Sequence, residues 1–387
     1  MKRLVLAGAG HAHALVLRDL ALAPLAGVDV TVVSPHALAP YSGMVPGWLA
    51  GHYAFDEIVV DFPRLCAAAG ARWVEGEIAG LDPARRRVRL SGGDELPFDT
   101  VSLNVGSTLR PPVSSHAATH ALTLPLRPLA DLRARFEVLL ARLGGDPSRE
   151  PLVVTAVGGG AAGFEALLAV LARLRATLAR PVRGEWISRG AVPLPGISAP
   201  ARRAAMRALQ RAGVTLRLAT AWSETTAQAG DIVLWATGAE AHDWQRDPAR
   251  RGALAVDAQG FVRIDAQLRS VSHPQVLAVG DCASWAEHPL PKAGVYAVRM
   301  GPVLARNLRA ALGAPAAPQA FHPQHRFLAL LATGDGRAIA SRGPFGAEGR
   351  WVWRWKDRID RRFLAQFHGL PAPQTTEAPT PVTGETA

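Results

Sequence analysis

Two glycine-spaced turns carry the first recognisable chemistry in this sequence. In "LAGAGHAH" (6–13), Gly8 and Gly10 have the spacing of G-x-G-x-x-G, and His13 stands where the third glycine would be. In "VGGGAAGFE" (157–165), Gly158, Gly160 and Gly163 complete the pattern, with Glu165 two residues further on. A glycine turn entering a helix presents backbone N–H groups and the helix's positive end to a pyrophosphate. The first two glycines allow the tight turn and the close approach of phosphate, while the third lets helix and strand pack tightly. His13 therefore threatens packing more than phosphate contact, and it is tolerated if its ring points along the crevice instead of into the strand.

A dinucleotide ribose usually meets an acidic residue at the end of the second strand. The corresponding ends here are Ser34, and Ser188 followed by Arg189; neither offers a carboxylate. Ser34 can still hydrogen-bond a ribose hydroxyl. Arg189 either favours a 2′-phosphate, hence NADPH, or is an ordinary solvated arginine. Asp281 in "VGDCA" (279–283) follows a strand-terminating glycine. Such an Asp accepts from a ribityl hydroxyl or caps the next helix. The cysteines, Cys66 and Cys282, are far apart and form no C-x-x-C pair, which argues against disulfide scaffolds, zinc ribbons and dithiol relays.

The elements that must position these residues follow a strand–turn–helix–strand order twice. "RLVLAGAG" runs into "HAHALVLRDLALAPL", a predicted helix, and then "VDVTVVS" (28–34), a predicted apolar strand. "PLVVTAVGGG" and the long helical stretch after it lead to "GEWIS". Between and beyond these units come a hairpin and strand over 84–107 ending on Gly106, and apolar strands closing on Gly238 (231–238) and on Gly280–Asp281 (275–283). A helix is predicted over 294–312, and "HRFLALLATGDGRAIASRG" reads as a hairpin about its "GDG" turn. The Pro/Thr-rich stretch 371–387 reads as disordered.

At 387 residues, two or three domains are expected. The net charge of +11 comes almost wholly from arginine, the only lysines being Lys2, Lys292 and Lys356. No zinc-finger, basic-zipper or RNA-binding signature accompanies it, so nucleic acid is not expected as a partner. The apolar run after Lys2 and Arg3 is cut by glycines and histidines, unlike a signal peptide, and no stretch has the length of a membrane helix. The expected location is the cytoplasm.

The order G-x-G, G-x-G-x-x-G, A-T-G (236–238) and G-D (280–281) resembles the two-dinucleotide-binding-domain flavoproteins of the pyridine nucleotide-disulfide oxidoreductase superfamily over about residues 1–312. The resemblance implies an α/β fold with two Rossmann-like FAD/NAD(P)-binding domains and a small C-terminal α+β cap. It places FAD in 1–113 and 249–312, NAD(P)H in 114–248 and the cap in 313–370. By that pattern Gly8, Gly10, His11, Ser34, Gly106, Gly280 and Asp281 fall to FAD. Gly158, Gly160, Gly163, Glu165 and Gly238 fall to the nicotinamide nucleotide. Paired cysteines of the disulfide reductases are absent. "APYSGMVPGWLAGHY" (39–53) and "LPKAGVYAVRMG" (290–301) look closer to the type II NADH dehydrogenase and sulfide:quinone oxidoreductase branch. "GHAHALVL", "SPHALAPYSGMVPGWLAGHY" and "WRWKDRIDRRF" are most similar to the flavoprotein domain fused to selenide, water dikinase in some proteins.

The implied activity is hydride transfer from NAD(P)H to flavin, then electron transfer to a quinone-like acceptor. Rival readings are a sulfide-type quinone reductase, disfavoured for want of a suitable cysteine pair; a non-catalytic FAD-bound partner in selenium metabolism; and a protein whose second glycine turn is vestigial, binding FAD but not NAD(P)H, since no carboxylate stands near Ser188. Lys292, at a helix start, either stabilises reduced flavin electrostatically or covers apolar surface. "GRWVWRWKDRIDRRFLAQF" (349–367) reads either as an interfacial Trp/Arg segment touching a membrane, or as a strand packing tryptophans inward followed by a helix.

Overall fold

In this computed structural model, residues 1–111, 122–146, 148–223, 232–285, 287, 290–324 and 326–370 are described. The tail expected to be disordered lies outside them.

The first sheet is built from apolar runs too continuous to leave a face in water. Leu4, Val5, Leu6 and Ala7 are all buried, as are Val32 and Val33, the pattern of strands covered on both faces. The strand order is Val276–Ala278, Thr100–Leu103, Lys2–Ala7, Val28–Ser34, Arg72–Glu75, and every pairing is parallel. The chain leaves this sheet after Leu103 and rejoins it at Val276. In between it builds a second parallel sheet, ordered Leu122–Pro125, Ile232–Trp235, Leu152–Val157, Val182–Ile187, Val214–Arg217. The fold is therefore α/β with two Rossmann-like sheets, as the sequence implied.

Helix His11–Leu22 follows the first strand of the first sheet, and helix Ala161–Thr177 follows strand Leu152–Val157 of the second. Helix Gly294–Ala311 lies against the first of these. A Cβ on Gly301 would come within 2.5 Å of Leu15 Cδ1, so only glycine allows that approach.

The C-terminal unit is an antiparallel sheet of Ala329–Ala332, Ala338–Arg342 and Phe345–Gly349, followed by helix Arg350–Ala365. The hairpin about the "GDG" turn is present. The strand reading of W-V-W-R-W is overturned, because those residues already lie in the helix. Its buried positions are Val352, Lys356, Asp360 and Leu364, a four-residue spacing, while Trp351 and Trp355 are exposed and stacked 6.5 Å apart. Two of its four inward residues are charged. The alternating tryptophans therefore misled the pattern.

Candidate functional site: two glycine turns and a buried charge pair

Both glycine turns sit where a strand of a parallel sheet ends and a helix begins, the usual ligand crevice of such sheets. In the first, Gly8 has φ +100°, and a Cβ there would lie 2.6 Å from the Asn104 carbonyl oxygen. Gly10 caps the helix, and a Cβ there would lie 2.1 Å from Asn104 Oδ1. Asn104 Oδ1 accepts from the amides of Ala12 (3.1 Å) and His13 (3.4 Å), and its Nδ2 donates to Val279 O at 3.0 Å. Asn104 thus ties the helix start to two strand ends. The sequence reading missed it, though a buried polar residue closing an apolar strand was a visible signal.

His13 departs from expectation. Its ring is fully buried and points into the sheet, with Nδ1 2.7 Å from Gly8 O and Nε2 2.8 Å from Ser102 Oγ. Gly8 O can only accept, so Nδ1 carries the proton and the Ser102 hydroxyl donates to Nε2. Burial pushes the ring's pKa down to about 4, so it is neutral.

The second turn keeps its third glycine. Gly158 has φ +124°, Gly160 caps helix Ala161–Thr177, and a Cβ on Gly163 would lie 2.7 Å from Gly158 O. Space beyond Gly160 and Gly238 is open, with nothing within 4 Å of a Cβ at either. Ser188 Oγ accepts from the Gly190 amide at 3.1 Å, and Arg189 is exposed. Glu165, assigned to the nucleotide by resemblance, instead turns its Oε1 to the Ala332 amide at 2.7 Å, in the C-terminal sheet. Burial raises its pKa to about 7, against the pull of the Lys356 charge.

Ser34 is buried at its strand's carboxyl end, and Gly106 and Gly280 have φ +71° and +69°. Asp281 accepts from Ser107 Oγ at 3.3 Å and is paired with the Arg127 guanidinium, which also donates to the Lys292 carbonyl at 3.3 Å. Arg127 had no sequence signal. Lys292 sits in a small cavity with Gly280 and Asp281, but its ammonium turns to Ala283 O (2.5 Å) and to the Phe261 ring (3.7 Å). Cys66 and Cys282 are both buried, and burial raises their pKa values to about 12 and about 11. Neither is a ready thiolate.

A third cluster adjoins the first turn. The Ser42 amide donates to His11 Nε2 at 3.4 Å, Tyr41 stacks on Phe363 at 4.5 Å, and Lys356 donates to Gly43 O and, at 2.6 Å, to Asp360. Lys356 and Asp360 are 4% and 5% exposed. Such buried charge is costly and marks a candidate site.

Residues 2–301 match the pyridine nucleotide-disulphide oxidoreductase family. The chain belongs to that family. This flavin oxidoreductase binds FAD and uses NADH or NADPH, as the family does. The residues fit both groups: each turn combines glycines that tolerate no Cβ with a helix start lacking an acidic first turn. No curated protein matches the sequence. Among solved structures, the sulfide:quinone oxidoreductase of Aquifex aeolicus is similar at TM-score 0.74 and 16% identity, over 97% of this chain and 93% of that one. NDH2 from Plasmodium falciparum, in complex with NADH, is similar at 0.72 and 12%, over 96% and 100%. The water-forming NADH oxidase of Lactobacillus brevis is similar at 0.63 and 18%, over 89% and 75%. At these identities the likeness shows the fold. Nothing in these matches supports the selenide, water dikinase connection. Among the described residues, no helix is long and apolar enough to cross a membrane, and no cluster of His, Cys, Asp and Glu could hold a metal ion.

Proposed function

We propose that this flavoenzyme oxidises NAD(P)H and hands two electrons to a quinone-like acceptor, in the balance NAD(P)H + H⁺ + A → NAD(P)⁺ + AH₂. Residues 1–113 and 249–312 form the FAD unit, 114–248 the NAD(P)H unit and 313–370 the cap. When bound, FAD supplies an isoalloxazine ring that accepts a hydride and returns electrons to the acceptor. The chain's own part is to bind and orient. Gly8, Gly10, His11, Ser34, Gly106 and Gly280 would line the first cradle, and Asp281, paired with Arg127, would be the carboxylate that meets a ribityl hydroxyl. Gly158, Gly160, Gly163 and Gly238 line the second. Lys292 contributes positive charge beside Asp281.

The observation that carries the acceptor reading is the buried Lys356–Asp360 pair on the Gly43 carbonyl, with Glu165 titrating near neutrality beside it. Reduction of a quinone consumes protons, and these groups hold them where the cap meets the first turn. The outer face of the same helix presents Trp351, Trp355 and Ile359 with Arg354 and Arg358, which suits peripheral contact with an anionic membrane. Sulfide chemistry is less suited, because both cysteines are buried and held as thiols.

Anaerobic titration of the yellow protein with NADH, NADPH and sulfide in turn tests the reading. Fast bleaching by a nicotinamide donor, with return of colour on adding a soluble quinone, is the expected result. Bleaching by sulfide alone, or by no donor, would overturn it.

A further inference from the structure

We propose that His11 is a ligand of the FAD diphosphate, donating its Nδ1–H to a phosphate oxygen. The proposal rests on the assignment of the first glycine turn to FAD. An α-helix opens with four amides that lack intrahelical partners, and these are what an anion uses. In helix His11–Leu22 two early amides, of Ala12 and His13, already go to Asn104 Oδ1. No side chain takes the corresponding amides of Ala162 and Gly163 at the second turn among the described residues. An anion at the first helix therefore meets fewer free backbone donors than one at the second, and a side-chain donor at the helix's first residue makes up the difference.

His11 is built to be that donor. Its Nε2 accepts from the Ser42 amide, which fixes the tautomer with the proton on Nδ1. Its plane is held edge-on to Tyr41 at 5.4 Å and tilted against Phe363 at 6.2 Å. No protein acceptor is paired with Nδ1 among the described residues, and the ring lies within the field of Asp281. Burial pushes its pKa down to about 4, so at neutral pH it donates as an uncharged imidazole.

The test is FAD titration of apo-protein for the wild type, His11→Phe and His11→Asn. Phe keeps a ring against Tyr41 and Phe363 but has no donor; Asn keeps a donor near the Nδ1 position but has no ring. The expected result is FAD affinity about 10- to 100-fold weaker for Phe and within about 3-fold of wild type for Asn, as a lost hydrogen bond to a charged group predicts. The ³¹P resonances of bound FAD should shift in the Phe variant and stay in place for Asn. Unchanged affinity in the Phe variant, or weak binding by Asn with tight binding by Phe, would overturn the proposal by making the ring a packing element. Wild-type apo-protein that takes up no FAD would instead bring down the assignment of the turn itself, which separates the two failures.

Discussion

His13 Nδ1 holds the Gly8 carbonyl at 2.7 Å, and the same bond recurs at the second turn by another route. There Trp186 Nε1 donates to the Gly158 carbonyl at 2.7 Å, passing over Gly163, which has no side chain to obstruct it. Each turn buries the carbonyl of its first glycine and must pair it. One helix supplies the donor itself; the other borrows it from the next strand. Restoring the motif with His13→Gly should therefore harm the protein. It removes two buried hydrogen bonds and leaves a cavity, and denaturant unfolding should show a loss of about 2–4 kcal/mol. An equally stable variant would mean that the His13 bonds contribute nothing.

Gly10→Val should strip FAD from the purified protein, since a Cβ at Gly10 meets Asn104 Oδ1 at 2.1 Å. Gly163→Val should spare the yellow colour but weaken NAD(P)H binding at least tenfold, because its Cβ meets the Gly158 carbonyl at 2.7 Å. Flavin absorbance and nicotinamide titration check the two separately. Full flavin content in the Gly10 variant would remove FAD from the first turn.

Stability should depend on pH in two opposing ways. His11 and His13 have folded pKa values of about 4, below their ordinary 6.5. Their contribution is complete above pH 6.5 and is lost as pH falls toward 4, by up to about 1.4 kcal/mol per pH unit for each ring. Glu165, raised from 4.5 to about 7, runs the other way: its contribution is present below 4.5 and lost as pH rises toward 7. Urea unfolding across this range should show a shallower acid loss for His13→Gln and no neutral-side decline for Glu165→Gln. Parallel profiles for variants and wild type would contradict both burials.

Lys356→Met strands the Asp360 carboxylate and should cost about 3–5 kcal/mol, whereas Lys356→Met with Asp360→Leu should recover most of that. The double variant then isolates function. Bleaching by NAD(P)H should persist while turnover with a quinone falls at least tenfold. Undiminished quinone turnover would move the acceptor site elsewhere.

Trp351→Ser with Trp355→Ser should leave stability within about 0.5 kcal/mol, since both rings are exposed. Co-sedimentation with vesicles rich in phosphatidylglycerol should drop several-fold. Equal sedimentation of variant and wild type would exclude this face as the contact.

The sequence by itself determined what is local. A glycine turn between an apolar run and a helix dictates backbone geometry within a dozen residues, so both Rossmann units, the "GDG" hairpin and the two strand-to-helix glycine turns were legible from spacing alone. Tertiary structure decided where side chains go once distant strands meet. Asn104 reaches the helix start 92 residues away, Arg127 reaches Asp281 154 residues away, and Glu165 turns to Ala332 167 residues away. The same holds for the direction of His13, which depends on Ser102 lying beneath it in the neighbouring strand. It holds too for the C-terminal helix, whose inward Lys356 pairs with Asp360 one turn on and also meets the Gly43 carbonyl, 313 residues away in the chain. Local spacing carries no information about which polar group a buried side chain will find, because that choice is made by packing across the chain.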